Sequence, residues 1–95
     1  MSTPIATASI NWFDAKGQLH IRVYSTDGYQ VTERCADGGG WTTGSFSQPG
    51  EAVSATCWNA GDGTHIRVYC TYQNSTTEWC NDPGTGWTKG SYSDG

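Results

Sequence analysis

Two arginine–glutamate pairs are the residues of this sequence whose types and spacing could do chemistry. Arg22 and Glu33 flank the turn signal Asp27-Gly28, and Arg67 and Glu78 follow 45 residues later with the same separation. A guanidinium presents a rigid fork of donors, a carboxylate presents acceptors, and the opposite charges keep each other ionised. Side by side, the two groups could hold adjacent hydroxyl groups of a ligand.

The turn signal predicts how each pair is placed. Asp27-Gly28 is typical of a two-residue type I′ hairpin loop. Counting outward from such a loop places Arg22 directly opposite Glu33, and the same loop length in the second copy places Arg67 opposite Glu78. A plain cross-strand ion pair, contributing roughly a few tenths of a kcal/mol, is the alternative interpretation. Repetition favours a site, although inherited structure alone could also repeat the pair.

The elements that must position these pairs come from one motif written twice. Three segments recur in the same order, His-Ile-Arg-Val-Tyr, Thr-Glu-x-Cys and Gly-Trp-Thr-x-Gly-Ser-Phe/Tyr, starting at positions 20, 32 and 40 and again at 65, 77 and 86. The last segment is offset by one extra residue, which falls in the turn at 82–85. An insertion confined to a turn is typical of a duplicated structural unit.

Each copy is predicted to form four short strands. In the first copy they span roughly 5–13, 19–25, 30–36 and 41–47, and residues 47–50 join the copies. Four strands in about 45 residues match one blade of a β-propeller. We therefore expect a single unit, 1–95, made of two tandem blades at about 5–47 and 52–93.

Two blades cannot close a ring, so each chain should leave two apolar blade faces bare. Propellers typically have about four to eight blades, and a cyclic head-to-tail oligomer would cover both faces. The repeat alone leaves four, six or eight blades open. A homo-oligomer is predicted in each case.

Composition places the chain in the all-β class. Twelve aromatic residues accompany 13 glycines in only 95 residues, a mixture that suits short strands and tight turns. The net charge of −4, with no cluster of Lys or Arg, argues against nucleic acid and anionic membranes as partners. No apolar run approaches the roughly 20 residues that span a bilayer, and no signal peptide is visible, so a soluble protein of unassigned localisation is expected.

Histidines and cysteines invite a metal interpretation, which their spacing does not favour. His20 and His65 each precede an isoleucine in a strand, and no Cys-x-x-Cys pair occurs. The four cysteines are instead expected to be free buried thiols: Cys35, Cys57, Cys70 and Cys80. We predict no metal and no cofactor.

Catalytic chemistry is not predicted either. Nothing resembles a Ser/His/Asp arrangement, which leaves Glu33 and Glu78 as a conceivable glycosidase pair. Each of them already pairs with an arginine, which favours the carboxylate, whereas a general acid must hold a proton. The chain is therefore expected not to be an enzyme.

Two tryptophans complete the candidate site. Trp41 and Trp87 each follow a glycine at the start of the last strand of their copy, close to a turn. Core packing is one interpretation, since aromatic residues dominate β cores. A flat ring near an Arg–Glu pair is also the stacking face that the C–H groups of a pyranose need.

Taken together, the three repeated segments resemble the fucose-binding lectin family of Aleuria aurantia lectin. The resemblance covers nearly the whole chain and is closest to the short, two-repeat bacterial members. It implies a homotrimer that forms a six-bladed propeller, with binding sites for L-fucose and fucosylated glycans between adjacent blades. One site would lie within each chain and one between subunits.

The resemblance also implies a set of residues for each site. For the internal site the residues come from both blades of one chain: Arg22, Glu33, Ser45, Asn81 and Trp87. For the intersubunit site a neighbouring chain supplies the last two: Arg67, Glu78, Ser91, Ala36 and Trp41. Asn81 and Ala36 stand where the short bacterial members usually carry an aromatic ring, so less apolar contact with the sugar is expected.

Two other functions compete with a lectin. In a protein-interaction propeller, the Arg–Glu pairs and the tryptophans would serve only for packing. A glycosidase-like propeller is the less favoured alternative, because no general acid is evident.

Overall fold

A computed structural model describes residues 3–94 as two four-stranded antiparallel sheets. The strands of the first sheet are β1 (Ala6–Phe13), β2 (Leu19–Thr26), β3 (Gln30–Ala36) and β4 (Trp41–Pro49). Those of the second are β5 (Ala52–Ala60), β6 (Gly63–Tyr72), β7 (Ser75–Asp82) and β8 (Gly86–Lys89). Neighbours in sequence are neighbours in each sheet. The all-β prediction is confirmed, and residues 3–94 contain no helix long and apolar enough to cross a membrane.

The connection between the sheets is shorter than the sequence suggested. The register of β3 against β4 shifts between Thr32 and Arg34, and beyond this irregularity β4 continues as far as Pro49. Proline is tolerated there because β4 is an edge strand, whose outer side needs no donor. The next residue, Gly50, donates its N–H to the Tyr29 carbonyl at 2.9 Å. This bond fastens the connection to the first sheet.

The predicted register of β2 against β3 is wrong by two residues. Tyr24, not Arg22, lies opposite Glu33, and Arg22 pairs with Cys35. The reason is the position of the loop. Asp27 precedes the loop instead of starting it, because its carboxylate accepts the N–H groups two and three residues further on, both at 2.9 Å. Moving a loop by one residue moves the strand register by two.

The second copy repeats this register, so the direct pairing of Arg67 with Glu78 is also wrong. Its loop residues Gln73 and Asn74 both have positive φ, 51° and 68°, as a type I′ turn requires. Tyr69 therefore lies opposite Glu78. Arg67 and Glu78 remain diagonal neighbours on one face, with Arg67 Nε 4.0 Å from Glu78 Oε2.

The core lies between the two sheets. The face of the repeat that points into the core in the first copy points outward in the second copy. The first sheet contributes the face that carries Tyr24 and Val31, and the second contributes the face that carries Ile66 and Val68. Tyr24, Val31 and Val68 are completely buried. Because side chains alternate between faces along a strand, each sheet keeps one face that its partner in the chain does not cover.

Large apolar side chains occupy these two outward faces. The first sheet exposes Phe13, Leu19 and Trp41, which are 57%, 37% and 51% accessible. The second exposes Trp58 and Tyr92, at 45% and 49%. Incompletely covered faces at both ends are what a stack of repeats leaves before its next neighbour is added.

Candidate functional site

A cavity of about 380 Å³ opens between the two sheets. Arg22, Glu33 and Ser45 line it from the first sheet, and Asn81 and Trp87 line it from the second. Its volume is in the range of small-molecule sites, roughly 300–1,000 Å³. The structure thus brings all five residues of the predicted internal site to one cavity.

Glu33 is the most enclosed polar group of this cavity, with only 4% of its surface accessible. Its Oε2 accepts the Tyr24 hydroxyl at 2.7 Å, and its Oε1 accepts the Phe46 N–H at 3.4 Å. Burial, reinforced by the Glu33 carboxylate, raises the pKa of Tyr24, so this phenol stays a donor. The carboxylate is therefore held in one orientation, with acceptor capacity left for a ligand.

Glycine at position 44 makes room for that carboxylate. A Cβ built on Gly44 would overlap Glu33 Oε1 and lie 2.6 Å from the carboxyl carbon. Gly90 stands in the same relation to Glu78, also at 2.6 Å. The second glycine of the Gly-Trp-Thr-x-Gly-Ser motif is thus required by the glutamate packed against it.

Substituting Gly44 with alanine should therefore displace Glu33. We expect Gly44→Ala to lower the free energy of unfolding by about 1–3 kcal/mol, because the added methyl group overpacks a buried site. Denaturant unfolding measures this change. Gly39→Ala is the matched control, since a Cβ there meets no atom within 4 Å. Equal stability of the two variants would contradict the assigned role of Gly44.

Arg22 is fixed from two sides. Its Nη1 donates to Asp37 Oδ1 at 2.7 Å and to the Ile21 carbonyl at 3.1 Å. Its guanidinium carbon lies 4.9 Å from the centre of the Trp12 ring, in cation–π geometry. Hydrogen bonds first from Arg22 and then from His20 lower the pKa of Asp37. Arg22 therefore presents its other N–H groups from a fixed position.

His20 extends this arrangement to the neighbouring turn. Its Nδ1 lies 2.6 Å from Asp37 Oδ1, and its Nε2 lies 2.9 Å from Asp14 Oδ2. The ring also stacks on Trp12, with 5.3 Å between centroids. The hydrogen bond to Asp14, followed by that to Asp37, raises the pKa of His20 above its ordinary value of 6.5.

The second copy reproduces the same contacts. Arg67 Nη1 donates to Asp82 Oδ1 at 2.8 Å, and the guanidinium lies 4.8 Å from the Trp58 ring centre. His65 places Nδ1 at 2.6 Å from Asp82 and Nε2 at 2.8 Å from Asp62. Sequence reasoning missed the aspartates and the tryptophans under the two arginines, Trp12 and Trp58, although Asp37 recurs as Asp82 at the repeat distance of 45 residues.

Trp87 combines the two roles that the sequence left open. Its ring packs edge-on against Phe46 at 4.6 Å and against Tyr24 at 6.2 Å, and it also lines the cavity. Its counterpart Trp41 is half exposed on the outward face of the first sheet. The difference follows from position, since only Trp87 has a covering sheet within the chain.

The residues predicted for the second site lie on the two outward faces. Arg67 and Glu78 lie on the uncovered side of the second sheet, and Ala36 pairs with Trp41 on the uncovered side of the first. Ser91 lies beyond β8, next to Tyr92, whose N–H donates to Glu78. The single chain therefore does not bring these five residues together.

Glu78 nevertheless has the surroundings of Glu33. It accepts the Tyr69 hydroxyl at 2.8 Å and the Tyr92 N–H at 3.1 Å. The Tyr69 hydroxyl, more than Arg67, holds the pKa of Glu78 below its ordinary value. The expectation that the arginine is the main partner of this carboxylate is therefore corrected in favour of the tyrosine.

The candidate metal ligands of the sequence do not form a metal site. In the described range 3–94, no group of three or more His, Cys, Asp or Glu side chains is arranged to hold a metal ion. All four cysteines are free thiols, and Cys57 is the half-buried one among them. Burial raises the pKa of Cys70 to about 11, so this thiol stays protonated.

No protein-family model and no curated protein sequence matches this chain. The likeness to fucose-binding lectins therefore rests on the repeated motifs quoted above.

Proposed function

We propose that this protein is a lectin that binds L-fucose and fucosylated glycans. The observation that carries the proposal is the cavity between the sheets, where Arg22, Glu33 and Trp87 meet. The cavity combines a guanidinium, a carboxylate and an aromatic ring, the groups that bind the hydroxyl groups and the C–H face of a sugar. The motif resemblance points to the same ligand.

Each group has a task in this proposal. The N–H groups of Arg22 donate to sugar hydroxyls and the ring oxygen, while the carboxylate of Glu33 accepts from hydroxyls. The Trp87 ring offers an apolar face to the sugar C–H groups. Ser45, at the exposed edge of the cavity, adds a hydroxyl beside the ligand. The protein binds its sugar without cleaving it, because Glu33 and Glu78 act as acceptors.

The proposed assembly is a homotrimer with six blades. In the trimer, the outward face of the first sheet of one chain would pack against the outward face of the second sheet of the next chain. This contact would resemble the contact between the two sheets within one chain. Arg67, Glu78 and Ser91 would then meet Trp41 and Ala36 of a neighbour. Each chain would contain one internal site. It would also contribute one half of each of two intersubunit sites, called shared sites below.

A glycan array tests the proposed function. Labelled protein should bind fucosylated glycans and not their defucosylated counterparts, and free L-fucose should inhibit the binding. The matched control is Arg22→Ala combined with Arg67→Ala, which should bind no fucosylated glycan. Binding to no glycan would favour a protein-interaction role, and turnover of a chromogenic fucoside would favour the glycosidase alternative.

Substituting Asn81 with tryptophan should strengthen the internal site. Asn81 lines the cavity beside Trp87, its partner across β7 and β8. A ring there would bury about 40–60 Å² more apolar surface, which at about 25 cal/mol per Å² gives about 1–1.5 kcal/mol, near a tenfold gain in affinity for L-fucose. Ala36→Trp should do the same for the shared site. Titration calorimetry measures both, and unchanged affinity in the two variants would contradict the prediction.

A further inference from the structure

Each histidine of the repeat lies between two carboxylates. Both ring nitrogens of His20 and His65 are within 2.6–2.9 Å of an aspartate oxygen. An ionised carboxylate only accepts hydrogen bonds, so both nitrogens must carry a proton to be that close. The geometry of the two sites therefore favours imidazolium ions, since a neutral ring would turn a lone pair toward one aspartate.

One oxygen of the inner aspartate joins each histidine to the arginine of the site. Asp37 Oδ1 accepts from His20 at 2.6 Å and from Arg22 at 2.7 Å. Asp37 does not line the cavity itself, so any effect on a ligand must pass through Arg22. This link distinguishes Asp37 from Asp82, which both holds Arg67 and lines the internal cavity.

We propose that Asp37 and Asp82 are positioning residues for the two ligand-binding arginines, and that protonated His20 and His65 hold these aspartates in place. The inference rests on the proposed sugar-binding function. It assigns a pH dependence to that function: both sites bind sugar more weakly once the two imidazoles lose a proton.

The charges around each imidazole support this direction. His20, on β2, faces Asp14 from the β1–β2 turn and Asp37 beyond β3, and Arg22 of the same strand adds one positive charge. On β1, the neutral ring of Trp12 stacks on it. The carboxylate that the second sheet contributes to the lining of this cavity is Asp82. Acidic partners therefore outnumber the one arginine at this histidine.

The surroundings of His65 are the same. It faces Asp62 from the β5–β6 turn and Asp82 of β7, with Arg67 on its own strand and the neutral ring of Trp58 stacked on it. The hydrogen bonds to Asp62 and Asp82 raise the pKa of His65 above 6.5. Because the folded protein raises the pKa of both histidines, the arrangement is complete below about pH 6.5 and is lost as pH rises through the raised values.

Losing the proton should leave each imidazole with a hydrogen bond to only one of its two aspartates. A neutral imidazole can donate to one carboxylate only. If it keeps Asp37, the turn that contains Asp14 is released. If it keeps Asp14, Asp37 is left with Arg22 alone. In either case the chain of contacts that orients the guanidinium becomes shorter.

The test compares sugar affinity and imidazole protonation in the intact protein. Titration calorimetry with L-fucose from pH 5 to 9 should show both sites weakening over the range in which the ¹⁵N signals of the two histidines report deprotonation. Asp37→Asn should weaken the internal site about tenfold, equal to about 1.4 kcal/mol. His20→Gln should make the internal site independent of pH over this range. Gly39→Ala, which adds a methyl group where no atom lies within 4 Å, serves as the control variant for the internal site.

Three results would overturn the inference. The first is wild-type affinity and pH profile in Asp37→Asn. The second is a sugar affinity that stays constant while both histidines titrate. The third is a ¹⁵N spectrum at pH 6 in which either histidine is neutral, and this result needs no sugar. A protein that binds no L-fucose at any pH instead overturns the proposed function, and the histidine spectra then decide the protonation state by themselves.

Discussion

Replacing Val23 with aspartate should break the assembly. Val23 lies half-buried on the outward face of the first sheet, and its equivalent 45 residues later, Val68, is completely buried between the sheets. If the next chain covers the first sheet in the same way, Val23 is buried too. Burying an unpaired carboxylate in such a contact costs several kcal/mol. A closed ring of the variant would bury one such carboxylate at every subunit junction.

Native mass spectrometry should therefore read three chains for the wild-type protein and single chains, or unfolded material, for Val23→Asp. Tyr29→Asp is the control, because Tyr29 lies in a turn with 72% of its surface accessible. Thermal unfolding of the wild type should depend on protein concentration, since folding and association are coupled. A well-folded wild-type monomer at micromolar concentration would contradict the propeller.

Replacing Arg22 and Arg67 with alanine should remove the two classes of site separately. Each substitution removes the guanidinium donors proposed to bind the sugar oxygens and should cost about 1.5–3 kcal/mol of sugar binding. Arg22→Ala should remove the internal site and Arg67→Ala the shared one. Neither should dissociate the trimer, which native mass spectrometry checks. Unchanged fucose affinity in the double variant would show that these arginines do not form the site.

The strands were predictable because the information for them is local. Repeated motifs fixed the number of elements, and glycine-rich turns fixed where most of them end. The register was not predictable from the turn signal, because it depends on a side chain: Asp27 accepts two backbone N–H groups and so becomes the residue before the loop. A two-residue signal does not show which residue starts the turn.

The groups that line the cavity were predictable, but the groups that support them were not. Arg22, Glu33 and Trp87 stand out by residue type and repetition. Asp37 and Gly44 act through contacts with other strands, which residue type alone does not indicate. The sequence signals Asp37 and Gly44 only by their recurrence in the second copy, as Asp82 and Gly90. Treating every repeated polar residue and glycine as a candidate site residue would have found them.

Calorimetric titration of the wild-type protein with L-fucose tests the central claim most directly. The account predicts saturable binding with two sites for each chain, one internal and one shared between neighbours, in a protein whose native mass corresponds to three chains. Stoichiometry is the decisive quantity, because one site per chain is what an isolated pair of sheets would give. Absence of binding at millimolar L-fucose would contradict the account.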